Sequence, residues 1–504
     1  MGSRRKVVAG TMLLMTFSLV ITECHTTAIT FPQESSENKR ETLILQREQQ
    51  LHMREQALRD REQQITQREK EVSEREAHLV AEMKKKHEAE AAAAALAQQS
   101  IIDRLGAEGA KLPKDDLNEF FTGLSGFSLD MMQRLAKSET NVAFSPLTTW
   151  VLLALMSEGA QGSTLQELET TLALPKDKNV TYRGFESIRS DIMQIMKGNS
   201  LINLGSAAFT SPRLTLKDEF KRIAEVCYNT TIQNVEFRNR SAAATVINKW
   251  VDDLTMGNIK GIVHPDDLDR AELVLTSALY FRGSWKDAFN ESLTRREPFM
   301  DDSGARVAEV DMMYQVGRFR LSFIEGLKAI ALELPYSSER NSMLLLLPRR
   351  GSTLTDLLSN MASYTEPLVP SIMKKLEEDQ IADTEDEDTH VYLPRFELNS
   401  KLKLVDLLKK MGIKKLFESR ADLRGVSTSN LYVSNLIHKA AISVTEKGTT
   451  ASASSAAVLH NYSLPSTFKA NRPFLFMIIQ RATNAILFAG KVGNPSPSVQ
   501  TRTY

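Results

Sequence analysis

The chain has 504 residues, 42% of them hydrophobic, with 63 basic side chains against 63 acidic ones. That is too long for a small module and ample for a large buried core. The zero net charge supplies no overall field that would draw nucleic acid or a membrane surface, so partners must be sought in local features.

The first such feature is at the N-terminus. MGSRRK is basic, and the run VVAGTMLLMTFSLVI behind it is apolar but too short and too poorly flanked for a comfortable membrane span. Together they read as a secretory signal over residues 1–24, cleaved after Cys24 or a nearby small residue, with a signal anchor as the rival reading. The expectation is a secreted, extracellular protein with no membrane attachment once the signal is removed. Loss of Cys24 leaves Cys227 alone, so the core holds the fold without a disulfide. Cys227 reads as a small buried hydrophobe rather than a nucleophile. Secretion also gives meaning to five Asn-x-Ser/Thr triplets, at Asn179, Asn229, Asn239, Asn290 and Asn461, which are the expected glycosylation sites.

A helical extension is predicted over residues 25–99. Arg-Glu pairs recur at 47–48, 54–55, 61–62, 68–69 and 75–76, and Ile44, Leu51, Leu58, Ile65, Val72 and Leu79 keep the same seven-residue period. The alanine run AEAAAAALAQQ continues the pattern. Each heptad offers one large apolar position, whereas a coiled-coil seam needs two. A solvated single helix and self-association through the extension both fit. Gly106, Gly109 and Pro113 mark residues 100–116 as a linker.

Residues 117–497 form the main domain, followed by a tail over 498–504. Helical patterns crowd its first part: LNEFFTGLSGFSLDMMQRLAK, PLTTWVLLALMSEGA and TLQELETTLAL. Strand-like runs dominate later: AELVLTSALYF, AIALELPY, SMLLLLP, HVYLPRFEL, HKAAISVTE, PFLFMIIQ and AILFAGKV. Helices first and strands later, without βαβ alternation, predict an α+β fold with large mixed or antiparallel sheets. The acidic run LEEDQIADTEDEDTH over 376–390 reads as an inserted, solvated loop. The chain carries no Gly-x-Ser-x-Gly, HExxH or P-loop, and its eight histidines fall at no ligand spacing. An enzyme is therefore not expected, and no metal or cofactor is implied.

Seven blocks carry a resemblance. NVAFSPLTTW (141–150), INKWVDDLTMGNI (247–259), LTSALYFRGSW (275–285), VDMMYQVGRF (310–319), YLPRFEL (392–398), HKAAISVTEKGTTASA (438–453) and FAGKVGNP (488–495) resemble, in this order, the signatures of the serpin family. The resemblance implies a serpin domain with three β-sheets, eight or nine helices and an exposed reactive loop. It makes Glu446, Lys447, Gly448, Thr449, Thr450, Ala451, Ser452, Ala453 and Ser454 the hinge of that loop, which in inhibitory members becomes a strand of an existing sheet. The residues suit this demand. Counting by twos gives Thr449, Ala451, Ala453, Ser455, Ala457 and Leu459, all small but the last, and no proline occurs between Gly448 and Pro465.

Family members place the cut bond sixteen residues past the hinge glutamate and eleven before the proline of the PF strand. Glu446 and Pro473 both lead to Tyr462, so the implied reactive bond is Tyr462-Ser463, with Leu459 and Leu464 as alternatives. Tyrosine there suits the apolar pocket of a chymotrypsin-like target serine protease. The Asn461 sequon straddles this bond, and a glycan on it would block docking. The resemblance also makes Ser145, Thr148, Ser277 and His438 a shutter beneath the opening sheet, and Trp285 and Glu446 the breach where insertion begins. Ser277 departs from the usual asparagine, and a hydroxyl cannot reproduce both amide hydrogen bonds, so a water or a looser gate is expected there. The expected function is that of a secreted suicide-substrate inhibitor, similar to arthropod serpins that restrain extracellular immune cascades such as melanisation. A non-inhibitory carrier or chaperone, and an interaction protein acting through its extension, are the competing readings.

Overall fold

A computed structural model describes residues 114–196, 201–382, 388–446 and 466–496, together with scattered positions between 52 and 85. The chain separates into two compact units, residues 1–82 and 83–504. In the first, the described positions, such as Met53, Gln67 and Glu71, are helical and exposed, and Gln67 Nε2 donates to Glu71 Oε1 one turn on at 3.0 Å. Ile44, Leu51, Leu58, Ile65, Val72 and Leu79 lie outside the described residues.

The second unit is α+β. Its helices among the described residues are α1 (Lys114–Ser138), α2 (Pro146–Gly159), α3 (Gly162–Leu172), α4 (Lys178–Met196), α5 (Asp218–Val226), α6 (Arg240–Leu254), α7 (Leu354–Ala362), α8 (Leu368–Ala382) and α9 (Val405–Met411). The strands form three sheets. A six-stranded sheet runs β1 (Asn141–Phe144), β15 (Ala485–Val492), β14 (Phe474–Gln480), β9 (Asn341–Pro348), β8 (Ala329–Pro335), β7 (Arg320–Ile324). A four-stranded sheet runs β13 (Ser466–Lys469), β10 (Thr389–Pro394), β6 (Arg306–Gly317), β5 (Arg295–Met300). A five-stranded sheet runs β11 (Phe396–Lys403), β12 (Asn435–Val444), β4 (Leu273–Arg282), β2 (Leu201–Thr210), β3 (Thr230–Asn234).

The five-stranded sheet is covered on both faces. Along β4, Leu273, Leu275, Leu279 and Phe281 join the larger core, while Val274, Ala278 and Tyr280 join a second core under α6 with Ile247 and Val251. This is the period-two alternation of a strand with two dry faces. The larger core holds α2, which is apolar all round and buried except at Glu158. Ser145 caps it, its Oγ accepting from Thr148 N, and Pro146 opens its first turn. On the other face α6 comes close because β2 has a glycine there. A Cβ on Gly205 would sit 2.8 Å from Leu254.

Two expectations are corrected. HVYLPRFEL reads as one strand but is two. β10 ends at Pro394 in the four-stranded sheet, and β11 begins at Phe396 in the five-stranded one. Arg395 makes the switch, its backbone N donating to Asp311 O at 2.8 Å. The acidic run is not wholly a loop either. Residues 376–382 complete α8, where Leu376 is buried, and β10 starts at Thr389, leaving residues 383–387 outside the described structure.

Candidate functional site

Strands β12 and β4 are parallel neighbours in the middle of the five-stranded sheet, registered over eight pairs from Asn435↔Val274 to Ile442↔Phe281. Each is antiparallel to its outer neighbour, β12 to β11 and β4 to β2. Parallel pairing is slightly weaker per residue; β2 and β3 at the sheet's edge are also parallel, and β12–β4 is the parallel seam in its interior. Residues on β12 and just beyond it fasten the seam at Glu446 and His438, and Lys439 ties β12 to the opposite face.

At the upper end β12 leads to Glu446, whose side chain is 2% exposed. Arg395 grips it through Nη2 to Oε1 at 2.5 Å and Nε to Oε2 at 3.1 Å, and Thr294 Oγ1 donates to Oε1 at 2.7 Å. Burial alone would raise the carboxyl pKa, but Arg395 and then Thr294 outweigh it and hold Glu446 below its ordinary value. The backbone is held as well. Phe289 N donates to Glu446 O at 3.0 Å, and Trp285 Nε1 donates to Thr445 O at 2.9 Å. Trp285 is itself stacked on Tyr336, with centroids 4.7 Å apart and planes at 9°. The chain that leaves β4 thus folds over the top of the seam as a clasp.

At mid-height His438 is fully buried on the α2 side. Ser145 N donates to its Nε2 at 2.9 Å, so that nitrogen carries no proton. The proton is on Nδ1, which donates to Ser277 Oγ on β4 at 2.7 Å, across the seam. Burial lowers the His438 pKa to about 3, so the ring stays neutral. Ser145 Oγ donates onward to Leu487 O at 2.8 Å. The structure therefore brings Ser145, Thr148, Ser277 and His438 together. Ser277 reaches His438 directly, with one hydrogen bond and no intervening water needed.

One residue beyond His438 along β12, Lys439 points to the opposite face. Its Nζ donates to Lys260 O at 2.5 Å and Gly261 O at 3.2 Å, in the connection that follows α6. Burial and then the neighbouring Lys401 lower its pKa. Nearby, Asp267 accepts from Lys401 at 2.8 Å and Lys403 at 2.6 Å.

Lys447, Gly448, Thr449, Thr450, Ala451, Ser452, Ala453 and Ser454, the Tyr462-Ser463 bond, its alternatives Leu459 and Leu464, and Asn461 all lie outside the described residues. Of the other sequons, Asn179 is half-buried and Asn229, Asn239 and Asn290 are exposed. Cys227 is buried and unpaired, and burial pushes its thiol up to about 12, as a packing role requires. Among the described residues no histidine, cysteine or carboxylate cluster is arranged to hold a metal ion. Sequence reasoning missed Arg395, Thr294 and Lys439. Only Lys439 left a signal, a lysine inside the otherwise apolar run of β12.

A sheet with a parallel seam, a clasped buried glutamate just past one of its strands, and a long chain between Glu446 and β13 define the kind of molecule. The family model Serpin (serine protease inhibitor) matches residues 122–495, and the chain belongs to the serpin family. It is 34% identical over 380 residues to an uncharacterised serpin-like protein of Thermococcus kodakarensis, covering 74% of this chain and 85% of the relative. It is 31% identical over 401 residues to human neuroserpin, covering 77% and 93%. The crystal structure of Manduca sexta serpin-12 superposes with a TM-score of 0.64 at 26% identity, covering 74% of this chain and 98% of that one.

Proposed function

We propose that the protein is a secreted suicide-substrate inhibitor of a chymotrypsin-like serine protease. The observation that carries this reading is the parallel β12–β4 seam with its hinge at Glu446. A chain that reverses at Glu446 runs antiparallel to β12, and since β4 is parallel to β12, antiparallel to β4 as well. One strand laid in the seam replaces a single parallel ladder with two antiparallel ones. Ten inserted residues would gain on the order of 10 kcal/mol, at about 1 kcal/mol per additional backbone hydrogen bond. The small residues from Thr449 to Ala457 can enter between two packed faces without overfilling them.

The target's serine attacks the Tyr462 carbonyl, the bond to Ser463 breaks, and the acyl-enzyme remains on Tyr462. Sixteen residues of strand, at about 3.4 Å each, carry that carbonyl about 54 Å from Glu446, taking the protease along. Distortion of its oxyanion hole then stalls deacylation. The inhibitor supplies no catalytic group. The basic and apolar N-terminus supports secretion, and a secreted inhibitor would meet its target in an extracellular proteolytic cascade, such as an innate immune one. The test is incubation with chymotrypsin. A complex that survives SDS, with release of a peptide starting at Ser463, is expected. Cleavage without a complex overturns the inhibitory reading.

A further inference from the structure

We infer that Asn290 is a regulatory glycosylation site, at which a glycan steadies the clasp over the seam and slows loop insertion. This rests on the reading of the protein as secreted and inhibitory. Of the four sequons in the described structure, Asn290 alone sits in the segment that holds the hinge glutamate. The residue before it, Phe289, donates its backbone N–H to Glu446 O at 3.0 Å, and Thr294, four residues on, donates to Glu446 Oε1 at 2.7 Å. Between them Glu291–Leu293 form a single 3-10 turn, capped by Asn290. Its Oδ1 accepts from Ser292 N at 2.9 Å and from Ser292 Oγ at 2.8 Å.

The chemistry of the cap and of the modification use different atoms. The cap needs Oδ1, whereas an N-linked sugar is attached through Nδ2, so the turn survives glycosylation unchanged. Asn290 is exposed, so there is room for a sugar. The other described sequons serve other places. Asn239 caps α6 through Oδ1 to Ala242 N, Asn179 lies in the first turn of α4, and Asn229 precedes β3 with a left-handed φ of 46°. The Asn290 turn is bonded to Glu446 from both ends.

For the chain continuing from Glu446 to enter the seam, the contacts of Glu446 with Phe289 and Thr294 must release. A bulky hydrophilic substituent on the turn restricts how far residues 283–294 can swing away and disfavours their opening. Slower opening delays insertion, and a delayed loop lets the acyl-enzyme hydrolyse first. The glycan therefore shifts the outcome from trapping toward turnover, and its occupancy sets the fraction of encounters that end in a complex.

The test uses the full chain secreted from a glycosylating host, with sequon occupancy read by peptide mapping. It is compared with the same chain from a non-glycosylating host, with Asn290→Gln, and with Ser292→Ala, which removes the sequon but keeps the Asn290 side chain. With Asn290 occupied, amides of residues 283–294 should exchange about threefold more slowly, and the number of inhibitor molecules consumed per chymotrypsin trapped should rise, by about twofold. Both sequon variants should match the unglycosylated chain, which also separates the sugar from any loss of the cap. Occupied Asn179, Asn229 or Asn239 with a bare Asn290 overturns the inference alone, as does an occupied Asn290 with unchanged exchange and stoichiometry. A secreted chain bare at every sequon also overturns the inference alone, and a chain that the host does not secrete overturns it together with the reading of secretion. A chain that never traps protease removes the inhibitory reading, and the exchange measurement still decides whether the glycan steadies the clasp.

Discussion

Replacing Glu446 with glutamine keeps the size of the side chain and the acceptor for Thr294 but removes the charge that Arg395 holds. The glutamate is 2% exposed and Arg395 44% exposed. Breaking a fully buried pair costs roughly 3–5 kcal/mol, but Arg395 can turn its freed charge to water, so about 2 kcal/mol is expected here. That corresponds to a fall of about 3 °C in the thermal midpoint of a domain this large. Carried on the unfolding or opening step, it is up to about thirtyfold in rate, read as faster spontaneous loss of inhibitory activity during storage. The folded-state pKa of Glu446 is depressed, so its contribution is complete above the ordinary 4.5 and is lost as pH falls through the lower folded value. Differential scanning of the parent, Glu446→Gln, Arg395→Gln and the double variant between pH 3 and pH 7 measures both terms. A coupling energy near zero in that cycle, or an unchanged midpoint for Glu446→Gln, would refute the clasp as a source of stability.

Three other perturbations follow from the same geometry. Thr449→Arg puts a guanidinium where insertion would bury it, at a cost of several kcal/mol, and should turn the inhibitor into a substrate that chymotrypsin cleaves without a lasting complex; efficient trapping by this variant would contradict insertion. In Asp267, burial works to raise the pKa, but Lys401, Lys403 and the His264 backbone outweigh it and bring the carboxyl to about 2. Its stabilisation is therefore present above the ordinary 3.8 and lost between there and about 2, and Asp267→Asn should flatten that part of an acid-unfolding curve. Lys439→Met fills a similar volume but releases the carbonyls of Lys260 and Gly261. Hydrogen exchange of residues 255–263 should speed up about tenfold while the six-stranded sheet is unaffected.

Runs with a strong period were legible in the sequence. The strand-like stretches that became β4, β8, β9, β12, β14 and β15 were visible because they are nearly continuous apolar segments buried on both faces. β2 was not, because Gly205 and Ser206 dilute its pattern, and Gly205 is there for the sake of Leu254 on α6. The break at Arg395 was hidden because both halves of HVYLPRFEL favour strand, and only tertiary pairing assigns them to different sheets. The site was legible only in part. Ser145 and His438 are 293 positions apart, so their hydrogen bond follows from no local rule, and the family resemblance was needed to pair them. Arg395 and Thr294 reach Glu446 from 51 and 152 positions away, through two different connections, and no periodicity marks either.

Insertion between β12 and β4 is the central claim, and the crystal structure of the protein cleaved in its reactive loop measures it most directly. The chain after Glu446 should appear as a new strand, with Thr449 and the following small residues paired antiparallel to both β12 and β4. The spacing between those two strands should rise from about 4.8 Å to about 9.6 Å, and the His438–Ser277 contact should be gone. A cleaved protein that retains the five-stranded sheet, with Ile442 still beside Phe281 and His438 still bonded to Ser277, would contradict the claim.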